Sequence, residues 1–232
     1  MIALLVMTDG RRDCIDRTLA SVEDYLDFPF GLRLIHDDSG DPGYREWLLD
    51  RYHGRYEVIS TPGRSGFGGA IRSAWSLLAL PGMGKITHIF HLEDDFTFDR
   101  AVSIEFMAAL LDERPELAQV VLRRQPWNDN EIRAGGVIEQ HPDAYSDQMS
   151  NLGCPYLEHR QFYSTNPCLY RRALIDKEWP DGRYSEGHFT HRLLNEGFDK
   201  IAGGDVRFAF WGSRDGGTWV THIGEQRAGI GY

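Results

Sequence analysis

Apolar and polar residues fall in regular blocks along the first half of the chain. The apolar run 2–8, closed by a threonine, predicts a buried strand. In 13–25, Ile15, Leu19 and Val22 share one helical face. A second strand is predicted at 32–36, a helix at 44–52 with Trp47 and Leu48 apolar, and a third strand at 56–60. The period is clearest in 66–80, where Phe67, Ala70, Ile71, Ala74, Trp75 and Leu78 recur at helical spacing and Pro81-Gly82 ends the element. A strand at 86–92, a helix at 102–111 and a strand at 117–122 follow. This alternation predicts an α/β fold with a mostly parallel central sheet and helices on both faces.

The second half is less periodic. Residues 124–160 are rich in Pro, Gly, Asn, Asp and His and read as one long loop, functional or mobile. A helix is predicted at 184–196, closed by Gly197, with short strands at 206–211 and 218–223 and a glycine-rich polar tail after them. No repeat, low-complexity segment or linker divides the chain, so 1–232 reads as one domain, with an irregular second half from 124 onward.

Charge and cysteine usage narrow the partners. With 35 acidic against 25 basic residues the net charge is −10, which disfavours nucleic acid and anionic membranes but leaves room for a small phosphorylated ligand. Cys14, Cys154 and Cys168 are odd in number and match no zinc or disulfide spacing, which suits a reducing compartment. The N-terminal apolar run is too short for a signal peptide, and no stretch approaches the ~20 apolar residues of a membrane span, so a cytoplasmic location is expected.

Candidate chemistry collects where the first four strands end. Thr8-Asp9-Gly10-Arg11-Arg12 follows the first, Asp37-Asp38-Ser39 the second, Arg64-Ser65-Gly66-Phe67-Gly68-Gly69 the third, and Glu93-Asp94-Asp95 the fourth. The carboxyl edge of an open α/β sheet is where ligands bind. Glu93-Asp94-Asp95 alone is equally a solvated acidic turn or a site for Mg²⁺ or Mn²⁺ bridging to phosphates. Asp37 or Asp38 can accept hydrogen bonds from a base or ribose, and Arg64 and Arg72 can meet a diphosphate. Gly66 opens a helix whose N-terminus favours anions. The turn after the first strand lacks G-x-G-x-x-G, which argues against NAD, and neither a P-loop nor a G-x-S-x-G elbow occurs.

In this order the motifs resemble the GT-A fold glycosyltransferases, especially the inverting family 2. The resemblance rests on Val6-Met7-Thr8, Asp37-Asp38-Ser39, Gly66-Phe67-Gly68-Gly69-Ala70 and Glu93-Asp94-Asp95, and covers about residues 2–100. It implies a nucleotide-sugar donor, a UDP-sugar first of all, and Mn²⁺ or Mg²⁺. It implies a nucleotide-sugar-binding half (1–123) and an acceptor half (124–232). By this resemblance Asp95 is the metal ligand, Glu93 contacts the ribose or a metal-bound water, Asp94 is their neighbour, and Asp37 with Asp38 contacts the base. Thr8, Arg11, Arg64, Gly66 and Arg72 complete the donor contacts. The chain departs from the pattern in having Glu93 in the first slot and Arg64-Ser65-Gly66 where Asn-x-Gly is usual.

In the second half Glu186 matches the acidic residue that opens the acceptor helix and acts as general base, with His188 as runner-up; equally, Glu186 is a first-turn acid complementing the helix dipole. His222 takes the place of a C-terminal histidine returning to the metal, Arg227 that of a cation in a tail closing over the diphosphate, and Trp211 that of a ring stacking on an acceptor sugar. Each also has an ordinary structural role open to it. The acceptor would be a hydroxyl on a protein, glycan or polymer. Compact members of this family also occur in phages, which would place this chain in a host cytoplasm. A sugar nucleotidyltransferase and a non-catalytic sugar-binding module are the alternatives.

Overall fold

The computed structural model describes residues 1–224. Its first half runs β1 (Ile2–Thr8), α1 (Arg12–Tyr25), β2 (Leu32–Asp37), α2 (Pro42–Arg51), β3 (Glu57–Ser60), α3 (Gly66–Leu78), β4 (His88–Glu93), β5 (Phe96–Phe98), α4 (Ile104–Glu113) and β6 (Leu117–Val121). The second half runs α5 (Asp129–Ala134), β7 (Tyr145–Met149), β8 (Pro155–His159), β9 (Cys168–Arg171), α6 (Ser185–Glu196), β10 (Arg207–Trp211) and β11 (Val220–His222).

Among the described residues, nine strands form one sheet in the order β3-β2-β1-β4-β9-β6-β10-β8-β7. Only β9 and β8 run against the rest, so the sheet is mostly parallel in direction. β5 and β11 pair antiparallel as a separate ribbon. The uninterrupted apolar sequence of β1 follows from burial on both faces. Leu4 and Val6 pack into one core layer with α1, α2 and α4, while Ala3 and Leu5 pack into the other with α3 and α6.

Two segments differ from the sequence expectation. The segment 124–160 holds α5, β7 and β8 instead of a continuous loop. β7 is a polar edge strand whose Ser146 and Asp147 face solvent, so its alternation is too weak to read as buried. β11 is shorter than 218–223 and leaves the main sheet to pair with β5.

β1 and β4 are neighbours, while the chain passes from β1 outward to β2 and β3 before returning to β4. The boundary between β1 and β4 is therefore the topological switch point, where a crevice opens at the carboxyl edge. Register sets the contributing residues side by side: Thr8 opposite Asp37, Asp37 opposite Ser60, and Met7 opposite Glu93.

Candidate active site

Two clefts meet at this edge. The first, of about 600 Å³, is lined by the turns after β1 and β4, by 64–72 at the start of α3, and by 182–185 before α6. The second, of about 500 Å³, lies against α5, the start of α6, and 162–166. Glu93 and Tyr184 line both.

The acidic turn after β4 is buried and clamped by one cation. Arg11 donates to Asp95 Oδ2 at 2.5 Å and to Asp94 Oδ1, and its Nε reaches Asp9 Oδ1 at 2.9 Å. Thr8 donates to Asp94 Oδ2 at 2.6 Å. Because that bond uses the only hydroxyl proton of Thr8, the Tyr44 hydroxyl, 2.6 Å away, is the donor to Thr8. Arg64 extends the network by an ion pair to Asp9.

These contacts separate the three acids. Burial pushes Asp94 up to about 7 even though Arg11 and Thr8 pull the other way. Burial also opposes ionisation of Asp95, but a hydrogen bond from His222 and the Arg11 charge outweigh it and hold Asp95 below the usual range. Burial, then the charges of Asp95 and Glu186, push the half-buried Glu93 well above it. Arg11 itself would be lowered by burial, but the two aspartates more than compensate.

His222 Nε2 approaches Asp95 Oδ2 to 3.2 Å. Gln125 sets the end of β11 by donating from Nε2 to His222 O and accepting from His222 N, each at 2.9 Å. The ring packs edge-on with Trp127 at 3.9 Å and beside Phe96 at 4.6 Å. Asp95 Oδ1 and His222 Nδ1 are buried and meet no partner among the described residues. A Cβ at Gly224 would collide with Asp95 Oδ2, so only glycine fits against that carboxylate. Among the described residues no three His, Cys, Asp or Glu side chains converge as a closed metal cage. The donor set fits an open site instead: one carboxylate, one imidazole, and places left for phosphate oxygens.

At the mouth of the second cleft, Glu186 sits in the first turn of α6. Thr165 donates to its Oε1 twice, from N at 2.6 Å and from Oγ1 at 2.8 Å, and no described residue bonds Oε2. Burial raises Glu186 above the ordinary glutamate range, against the Thr165 bonds and the more distant Arg124.

Of the other sequence candidates, Arg64, Gly66 and Arg72 line the first cleft; Arg72 pairs with Asp181 at 2.7 Å. Asp38 also touches that cleft, but its carboxylate is occupied by Ser65 N, Ser65 Oγ, Gly66 N and Thr61 Oγ1. Asp37 lines neither cleft; it is buried and accepts from Ser39 N and Ser60 Oγ. His188 is exposed one turn along α6 and lines neither cleft. Trp211 corrects the sequence expectation outright: it is 5% exposed, packed in the core at the end of β10, and unavailable for stacking on an acceptor. Arg227 lies outside the described residues.

Sequence reasoning did not single out Tyr44, Thr165, Gln125, Trp127 or Tyr184. Only the Trp127 region carried a signal: Asn128 with Glu131 three residues on is an N-cap pattern, and Asn128 Oδ1 accepts from Asn130 N and Glu131 N.

Three solved proteins share this arrangement of elements. The chain has the GT-A fold. It superposes on S. aureus TarS, solved with UDP-GlcNAc, at TM-score 0.61 and 16% identity, covering 99% of this chain and 60% of that one. It superposes on the mannosyltransferase PcManGT from Pyrobaculum calidifontis, solved with GDP-Man and Mn²⁺, at 0.61 and 12% identity, covering 98% and 58%. GalNAc-T7, solved with UDP, GalNAc and Mn²⁺, gives 0.63 at 10% identity, covering 97% and 44%. The chain thus spans about half of the length of these GT-A proteins. No family model and no curated protein matches its sequence. No described helix of this GT-A chain is long and apolar enough to cross a membrane.

Proposed function

We propose that the chain is a metal-dependent glycosyltransferase that moves a sugar, with inversion, from a nucleotide diphosphate sugar to a hydroxyl acceptor. The observation that carries this reading is the placement of Glu93, Asp94 and Arg11 at the β1/β4 switch point of a GT-A fold, on a cleft that also receives Arg64 and Arg72, with Asp95 buried behind it and paired to Arg11. The first half would bind the donor, a UDP-sugar, and the second half the acceptor.

Asp95 and His222 would hold Mn²⁺ or Mg²⁺, which when bound would supply positive charge to the leaving diphosphate. Arg11, Arg64 and Arg72 supply cationic donors on the same side. Gly66, at φ +72° on the wall of the cleft, lets the start of α3 come close to an anion. Glu93, which lines both clefts, would contact the ribose or a metal-bound water. Glu186 takes the acceptor hydroxyl proton through Oε2 while the acceptor oxygen forms its bond to the anomeric carbon. The bond from that carbon to the diphosphate oxygen breaks, and its electron pair leaves with the diphosphate. Thr165 keeps Oε1 occupied, so the proton is taken at one oxygen.

The experiment is a thermal-shift and donor-hydrolysis panel of UDP- and GDP-sugars with and without Mn²⁺. A bound donor raises the melting temperature by mass action. Absence of both stabilisation and turnover with every donor would overturn the proposal.

A further inference from the structure

The second cleft differs from the first in chemistry. Its lining includes the aromatic residues Trp127, Phe162 and Tyr184 and the side-chain amides of Gln140 and Asn166. Neither amide bonds to another described residue, so both are available to a ligand. The cleft's arginine is already committed: Arg124 forks onto Glu131 at 2.6 and 3.1 Å. With that pair closed, no uncommitted guanidinium or ammonium remains among the described residues lining the cleft.

Tyr184 is placed at some cost. It is 63% exposed, lines both clefts, and holds φ +59°, a left-handed conformation that an aromatic residue seldom adopts. A glycine would adopt it without strain, so the position is explained by what the ring does there, not by what the backbone needs.

We infer that this cleft is the binding site for a neutral sugar acceptor, so the hydroxyl that Glu186 deprotonates belongs to an uncharged carbohydrate. This rests on the glycosyltransferase reading above. Aromatic faces beside hydrogen-bonding amides suit a ring that is apolar on its C–H face and polar around its rim. A phosphorylated or acidic acceptor would find the cleft's guanidinium already paired and no other arginine or lysine among the described lining residues. A lipid chain would have to desolvate Gln140, Asn166 and Glu186 without returning a hydrogen bond.

The test uses the chain with the donor that it hydrolyses. Release of nucleoside diphosphate is measured with neutral glycans, a Ser/Thr-rich peptide and glycerol 3-phosphate, and product formation is followed on an array of neutral glycans. Neutral glycans should accelerate release and become labelled. Trp127→Ala and Tyr184→Ala should each raise the acceptor KM about tenfold, with Trp127→Phe recovering most of the loss. Donor hydrolysis that only the peptide or the glycerol phosphate accelerates, or that no acceptor accelerates, overturns the inference and leaves the transferase reading standing. Absence of donor binding and hydrolysis overturns both.

Discussion

His222 Nε2 lies 3.2 Å from Asp95 Oδ2, joining the last described strand to the end of β4. Neighbouring ligands of an octahedral ion at about 2.1 Å from each ligand stand about 3 Å apart, so this pair has the spacing of two adjacent donors. Asp95→Ala should abolish Mn²⁺ binding in the presence of UDP. His222→Ala should weaken it about tenfold or more, since even supporting partners of metal ligands carry that much. Calorimetry or Mn²⁺ paramagnetic resonance measures both. Unchanged affinity in the two variants would remove the pair as a metal site.

Glu186 can act as a base only when unprotonated. Burial raises its pKa, so transfer should rise with pH through that raised value and be lost below it. Glu186→Gln should lower kcat by about 10²–10⁴-fold and flatten the acid limb of the profile. A variant with a wild-type rate, or with the acid limb intact, would assign the proton transfer to another group.

Asp38 holds the turn before α3 rather than presenting a free carboxylate. It accepts from Gly66 N at 2.8 Å, Ser65 N at 3.0 Å and Thr61 Oγ1 at 3.0 Å. Asp38→Ala leaves these donors unsatisfied and should cost about 2–3 kcal/mol in urea unfolding. If Asp38 instead contacted the base directly, the variant would keep its stability and lose discrimination between UDP and GDP.

The contrast between Asp38 and Asp95 marks the limit of what the chain discloses as text. β1 was legible because burial on both faces demands an unbroken apolar run, β4 because Ile89, Phe90 and Leu92 dominate it despite two histidines, and α3 because its buried face repeats at helical spacing. The acidic turn after β4 was legible because three carboxylates at a strand end are costly without a cation. Which cation meets them was not: Arg11 reaches Asp94 and Asp95 across the switch point, and no local pattern encodes a contact between β1 and β4. Asp37 and Asp38 read as ligand contacts because an acid after a strand has the same sequence whether it faces a substrate or satisfies backbone N–H groups. The insertion of β9 against the direction of β4 and β6 was not legible, because strand–helix alternation predicts parallel neighbours.

Tyr44 is buried under Thr8 and donates to it, which leaves the Thr8 proton directed at Asp94. Tyr44→Phe removes that donor without opening a cavity. The expected cost is about 1 kcal/mol in urea unfolding, with donor affinity reduced because Thr8 is then free to turn its hydroxyl away from Asp94. Thr8→Val should reproduce the affinity loss, and a normal affinity in both variants would show that Asp94 is held by Arg11 alone.

Trp211 separates burial from recognition most cleanly. It lies in the same core layer as Tyr156 and Val220, and pairs across the sheet with Tyr156 in β8. Removing a buried ring of this size leaves a cavity that the surrounding strands cannot close, so Trp211→Ala should lose about 3–5 kcal/mol of stability. Trp211→Phe should recover much of that stability, because it restores most of the apolar volume. The acceptor KM of Trp211→Phe should match that of the wild type. A raised acceptor KM in a stable Trp211→Phe protein would return this ring to the acceptor site, against its burial at the end of β10.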